Sequence, residues 1–370
     1  MSWSQVAKER LAAIERAGQT RSVRDLDGMG PSVRLRDGRE VVSFASNDYL
    51  GLSHHPEVIA GARSALERSG AGSGSARLIV GSRTVHTELE VAIAAWKDKE
   101  RALLFPTGYA ANLGVLGTLG RDADLICSDE LNHASIVDGC RAAKARVEVY
   151  PHKDVDALEA ALRSARRAIV VSDSVFSMDG DVAPIVELTE VCERHGALLI
   201  LDEAHAVLGP HPERCNIDRL RVGTLSKFLG SAGGYVAGDA PFIELLTNAA
   251  RPFIFTTAGS PADAGAALTA LHILRSEEGE RLISRLRVLV DRVAPGHPSP
   301  IVPLVIGEAR DAVAAAEGLL ERGFLVPAIR PPSVPEDTSR LRVTLSAAHT
   351  DEQVEGLLGA LTEVGVRLGA

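Results

Sequence analysis

The stretch Leu198–Gly209, LLILDEAHAVLG, runs apolar residues straight into Asp202 and, three positions on, His205. A second run, RVGTLSK, delivers Lys227, and His133 follows a third, DLICSDELNH. The tetrad Asp-Glu-Ala-His also occurs in ATP-driven helicases. A nucleotide motor, however, needs a G-x-x-x-x-G-K-[ST] loop to cradle phosphates, and the dipeptide Gly-Lys occurs nowhere in the chain. The glycine-rich GAGSGSARLIVG (Gly70–Gly81) neither fits G-x-G-x-x-G nor follows a strand, so it reads as a tight loop. No H-E-x-x-H occurs, and Asp202 with His205 is too small a set for zinc. Ser-x-x-Lys acylation fails because Thr224 stands where the serine should be in TLSK. A lysine, an aspartate and a histidine at strand ends remain. Pyridoxal phosphate chemistry uses these types: an amine for a Schiff base, a carboxylate to keep the pyridine nitrogen protonated, and N–H groups at a helix start for the phosphate.

Such residues need a frame that gathers them. From Arg101 onward, RALLF, DLICSD, RVEVY, AIVVSDS, ALLILDEAH, RVGTLS and GGYVAGD read as strands separated by helical or turn segments. Their apolar residues do not alternate with polar ones, which suits a sheet covered on both faces by helices. The strand–helix rhythm implies mostly parallel order, with ligands at the carboxyl ends of the strands. The expected fold is therefore α/β: a large domain with a mostly parallel seven-stranded sheet between helices, plus a smaller α+β C-terminal domain. The expected divisions are 1–45 for an N-terminal helix and arm, 46–262 for the large domain and 263–370 for the small one. In the last, PADAGAALTALHILRSEEGERLISRLRVLVDRV reads as one long helix and RLRVTLSAAHT as a strand.

Composition narrows the class. With 370 residues, 45% hydrophobic and 24% charged, the chain can bury a sizeable core. A net charge of −9 argues against broad contact with nucleic-acid phosphates. Cys127, Cys140, Cys192 and Cys215 form no C-x-x-C pair and are expected to be reduced thiols. Val6, Leu11 and Ile14 among charges read as an amphipathic helix instead of a signal peptide, and no run approaches the roughly 18 apolar residues of a membrane span. The expectation is a soluble, cytoplasmic protein without metal or membrane contact.

Ten motifs in order carry a resemblance over nearly the whole chain: FASNDYLGLSHHP, GSGSARLIVGS, HTELE, PTGYAAN, LNHASIVDG, DSVFSMDGDVAP, DEAH, GTLSKFLGSAGGY, RPFIFTT and RPPSVPEDTSRLRVTLSAAHT. Together they resemble the α-oxoamine synthases, fold-type I pyridoxal phosphate enzymes. The resemblance implies that Lys227 binds the cofactor covalently and moves protons, and that Asp202 pairs with the pyridine nitrogen. It implies that His133 stacks on the ring and that His205 and Ser177 reach its phenolic oxygen. Gly108 and Tyr109 would offer N–H groups to the phosphate, with Thr224 adding a hydroxyl. Thr257 would reach the phosphate of a neighbouring subunit, which implies a homodimer with a shared active site. Arg330 would clamp the amino acid carboxylate with help from Asn47, Ser333 would lie near the substrate, and Arg21 would meet the far carboxylate of the acyl chain. His133 also fits an N-cap neighbour, Arg21 an exposed helix-end charge and Ser333 a turn residue between prolines.

The motifs sit nearest the family member that condenses L-alanine with a pimeloyl thioester, carried by coenzyme A or acyl carrier protein, with release of CO2 and free thiol. Glycine with acetyl-CoA stays open as a rival, and serine with a long acyl chain is a further one. From another class, a non-catalytic pyridoxal-binding regulator would carry a basic DNA-binding segment, which is not seen. An aminotransferase would release no thiol. One departure is the short segment AVLGPHPERCNIDRLRVGTLSK after His205, which lacks the family's longer glycine-rich stretch and bears on the wall facing the acyl carrier.

Overall fold

The computed structural model describes residues 1–16, 18–213 and 215–367. Its centre is a seven-stranded sheet in the spatial order Arg101–Phe105, Gly234–Gly238, Arg219–Thr224, Leu198–Asp202, Ala168–Asp173, Leu125–Asp129, Arg146–Tyr150. Gly234–Gly238 runs antiparallel to both its neighbours, and the other adjacent pairs are parallel. All seven expected strands are present. Their unbroken apolar runs have a simple cause. Ile200 packs into one core with Leu116, Ile136 and Leu246, while its neighbours Leu199 and Leu201 pack into a second core with Leu158, Leu188 and Val191 on the opposite face. Each face is covered by helices, so successive strand residues are buried on alternate faces and unbroken apolar runs result.

The chain divides into two compact units. One comprises Ser46–Val302 and Thr344–Val354; the other comprises Met1–Ala45, Pro303–Val343 and the residues from Glu355 onward. The first unit holds the seven-stranded sheet and runs past the expected boundary at 262 to Val302. The reason is packing: the helix Pro261–Leu274 lies against Pro56–Ser69, where a Cβ on Gly265 would come within 2.6 Å of the Ala65 Cβ, so only the bare glycine permits this approach. The expected single helix after Pro261 is two, Pro261–Leu274 and Glu277–Val293. Ser276 starts the second by accepting from the Glu278 N–H at 3.2 Å, and Glu277, Glu278 and Glu280 place negative charge at its N-terminus.

In the other unit, the strand Phe324–Leu325 pairs in parallel with Glu40–Ser43, so residues 1–45 do not stand apart as a separate arm. Leu26–Asp27, Ser32–Leu35, Glu40–Ser43 and Phe324–Leu325 form one small sheet, and Ile301–Gly307, Ser339–Thr344 and Ala328–Ile329 another. The strand expected over RLRVTLSAAHT thus ends at Thr344. The amphipathic helix forms as Trp3–Arg16, with Trp3 and Leu11 exposed. Among the described residues no helix is long and apolar enough to cross a membrane.

Candidate active site

The ends of five strands and the segments that follow them build one cavity of about 210 Å³ in the larger unit. Asp173 and Asp202 are paired in register at the ends of adjacent parallel strands, and Asp202 is opposite Val222 on the next strand. The cavity is lined by Gly108, Tyr109, His133, Ser177, Asp202, His205, Thr224 and Lys227, eight of the residues expected from sequence, together with Thr107, Ser135, Asp173 and Ser226.

Asp202 is held as an acceptor. Its Oδ2 accepts from Asn112 Nδ2 at 2.7 Å and its Oδ1 from the Ala204 N–H at 2.9 Å. Below it, Ser174 donates to the Asp202 carbonyl through both its N–H and its hydroxyl. Asn112 Nδ2 also donates to Ser135 Oγ at 2.9 Å, so the Ser135 proton points to His133 Nδ1 at 2.8 Å. That nitrogen accepts from the Ser135 N–H as well, at 3.2 Å, which makes His133 the N-cap of Ala134–Ala142. Burial lowers the His133 pKa against the pull of Asp202. Because Nδ1 accepts, the ring's N–H is on Nε2. Its own backbone N–H donates to Asp173 Oδ2 at 2.8 Å. Burial and the nearby Asp202 push the Asp173 carboxyl well above the usual carboxylate range.

Lys227 Nζ lies 2.9 Å from His205 Nε2, and the other ring nitrogen, Nδ1, lies 2.5 Å from the Tyr49 hydroxyl. Tyr49 donates in turn to Asn47 Oδ1 at 3.1 Å, so Asn47 meets the cavity residues through Tyr49 and His205. At the helix Gly108–Leu119, Thr107 caps the first turn by accepting from the Ala110 N–H at 3.0 Å. The first N–H groups of a helix have no partner within it and attract anions. Thr224 donates to the Gly233 carbonyl at 2.9 Å and lies 2.7 Å from Ser226 Oγ, so it shapes the turn that carries Lys227 and brings a second hydroxyl to the cavity. Gly234 lets this strand approach: a Cβ there would collide with the Thr107 carbonyl. Tyr109 hydrogen-bonds Asp138 through its hydroxyl.

Four expected residues lie elsewhere. Thr257 lines a different pocket of the same unit, with Arg77, His86 and Phe253. Arg21, Arg330 and Ser333 belong to the smaller unit. There Arg330 donates to the carbonyls of Gly18 and Thr20, at 2.7 and 3.2 Å, next to Arg21. Ser333 and Arg21 are exposed. Tyr49, Asn112, Ser135 and Ser226 were not singled out from sequence, although each falls inside a quoted motif. Among the described residues no group of three His, Cys, Asp or Glu side chains could hold a metal ion.

This donor set suits a flat, phosphate-bearing aldehyde. A helix N-terminus and two hydroxyls match an anion, a carboxylate held as an acceptor matches a protonated ring nitrogen, and an amine matches a carbonyl carbon. Comparison with known proteins agrees. The family model for aminotransferase class I and II matches residues 39–361. An 8-amino-7-oxononanoate synthase from Anaeromyxobacter dehalogenans (strain 2CP-1) is 50% identical over 379 residues, which cover 96% of this chain and 94% of that protein. Serine palmitoyltransferase from S. paucimobilis, solved with bound PLP and myriocin, superposes with a TM-score of 0.87 at 30% identity over 98% of both chains. The 8-amino-7-oxononanoate synthase of Francisella tularensis superposes with a TM-score of 0.72 at 25% identity, over 87% of this chain and 97% of that one. The chain belongs to the aminotransferase class I and II family and, within it, to the 8-amino-7-oxononanoate synthases, pyridoxal phosphate-dependent acyltransferases of biotin biosynthesis.

Proposed function

We propose that this protein condenses L-alanine with a pimeloyl thioester to give 8-amino-7-oxononanoate, CO2 and free thiol, as a cytoplasmic homodimer. The observation that carries the reading is the 50% identity to a synthase of that name over almost the entire chain, against 30% to serine palmitoyltransferase. The thiol carrier is coenzyme A or an acyl carrier protein. The four cysteines are free thiols, as a reducing compartment requires.

Bound in the cavity, pyridoxal phosphate supplies an electron sink for a carbanion at the α-carbon of the amino acid. Lys227 would hold the cofactor through Nζ, an amine placed to take and return the α-proton. Asp202, satisfied as an acceptor by its two N–H donors, would face the ring nitrogen. His133 would lie against the ring, and His205 and Ser177 would reach its phenolic oxygen. Gly108, Tyr109 and Thr224 would hold the phosphate, and Thr257 would reach the phosphate of the neighbouring protomer. Arg330 would suit the alanine carboxylate with its guanidinium fork, and the family resemblance gives Asn47, Ser333 and Arg21 substrate roles as well.

The test uses L-alanine labelled with 13C at its carboxyl carbon. With the pyridoxal-loaded protein and pimeloyl-CoA or pimeloyl carrier protein, labelled CO2 is expected only when both substrates are present, together with an amino-oxo acid of the matching mass. Pyruvate formation without CO2 would instead identify an aminotransferase.

A further inference from the structure

We infer that Tyr49 is a positioning residue that sets the tautomer of His205 and thereby the side of the Lys227 amine that faces it. Tyr49 is wholly buried, and its hydroxyl meets Asn47 Oδ1 at 3.1 Å and His205 Nδ1 at 2.5 Å. A phenol has one proton, and an amide oxygen can only accept. The Tyr49 proton therefore goes to Asn47, and the phenol oxygen must receive the Nδ1–H of His205. A neutral imidazole with its proton on Nδ1 presents a bare Nε2 to Lys227 Nζ, 2.9 Å away. The hydrogen bonds then run one way, from Lys227 to His205 to Tyr49 to Asn47. In that direction Lys227 gives a proton to the bond, and the amine lone pair stays outside it. The reverse order would have the His205 Nε2–H engage that lone pair, which is the electron pair a carbonyl carbon must receive.

The ring is fixed independently of this chain. The Tyr49 carbonyl accepts from the Ala347 N–H at 2.8 Å. Beside it the Asp48 carboxylate accepts from the Leu52 and Ser53 N–H groups at 3.0 and 3.2 Å and from the Ser53 hydroxyl at 2.6 Å. The hydroxyl is thus placed by backbone anchors, and His205 adapts to it. The inference rests on the proposed role of Lys227 but not on the identity of the substrates.

The experiment is NMR of the 15N-histidine-labelled apoprotein, with His205 assigned by the signal lost in His205→Asn. The expected result is a neutral His205 protonated on Nδ1 in the wild type, shifting toward Nε2–H in Tyr49→Phe. In the same variant, covalent capture of pyridoxal phosphate, followed by absorbance, is expected to slow by about tenfold, the loss of one hydrogen bond. A wild-type His205 protonated on Nε2 overturns the inference, as does an unchanged tautomer in a folded Tyr49→Phe protein. If that variant fails to fold, the wild-type tautomer alone decides. Wrong substrates would leave every one of these signals in place.

Discussion

Asp202 shows how a single side chain is prepared for one task. Two N–H donors, from Asn112 and Ala204, satisfy it as an acceptor, and an amide in its place would turn one of its two atoms into a donor facing another donor. We therefore expect Asp202→Asn to lower turnover by at least about 100-fold, the scale seen when one pre-placed electrostatic partner is removed, while the protein still binds pyridoxal phosphate. Steady-state thiol release and a cofactor titration on the same preparation check this. Asp202, His205 and Lys227 were legible from sequence because each follows an apolar strand, and strand ends gather ligands in this kind of sheet. Tyr49 was not, since it meets His205 across 156 positions. Asn112 and Ser135 were hidden for the same reason: their value lies in a bridge between Asp202 and His133 that only the packed sheet creates.

At the scale of elements, the site depends on how closely the strands and helices approach. Glu203, next to Asp202, is wholly buried and bonded to Lys97 at 2.7 Å and to Arg221 at 2.6 Å. The Lys97 carbonyl also accepts from Arg221 Nη1 at 2.9 Å, which ties the helix Thr84–Lys97 to the strand Arg219–Thr224. Replacing Glu203 with leucine leaves two buried cations without their shared anion. We expect a loss of about 3–5 kcal/mol, measured by urea denaturation of the apoprotein. Gly234→Ala, whose new methyl group meets the Thr107 carbonyl, is expected to weaken pyridoxal phosphate binding by about tenfold or more through displacement of the Gly108 helix start. The unbroken apolar runs revealed all seven central strands. The break at Ser276 was masked because apolar spacing continues across it, although Ser276 followed by Glu277 and Glu278 is itself a helix-start signal. The strands before residue 45 are two to four residues long and partly exposed, so they carry too little pattern to be seen.

For the whole molecule, long-range ties set the conditions under which the frame holds. His152 bridges the end of one sheet strand to the loop bearing Ser177, with Nδ1 2.9 Å from Asp129 and Nε2 2.9 Å from Asp181. Burial works against its charged form, but the hydrogen bonds to Asp129 and Asp181 outweigh it and raise the pKa to about 9. The folded value lies above the ordinary value of about 6.5, so this bridge stabilises fully below that pH and is lost as the pH rises through about 9. His152→Gln should accordingly lower the thermal midpoint most at about pH 6, and the gap to wild type should close near pH 10. The two-unit division was only half legible, because the smaller unit is assembled from both ends of the chain. Thr257, in a pocket apart from the Lys227 cavity, bears on the proposed homodimer. Mixing inactive Lys227→Ala with weakened Thr257→Ala protein is expected to restore activity. One hybrid site then contains both an intact lysine and an intact threonine, and no recovery would place Thr257 in its own protomer's site.

The central claim concerns substrates, and one measurement addresses it most directly. Thiol release by the pyridoxal-loaded protein is followed for L-alanine with pimeloyl-CoA, glycine with acetyl-CoA and L-serine with palmitoyl-CoA, with a pimeloyl carrier protein as a second donor for alanine. The account predicts release with alanine and a pimeloyl donor at a kcat/KM well above the other pairs. Release with glycine or serine alone, while both alanine mixtures stay silent, would contradict it.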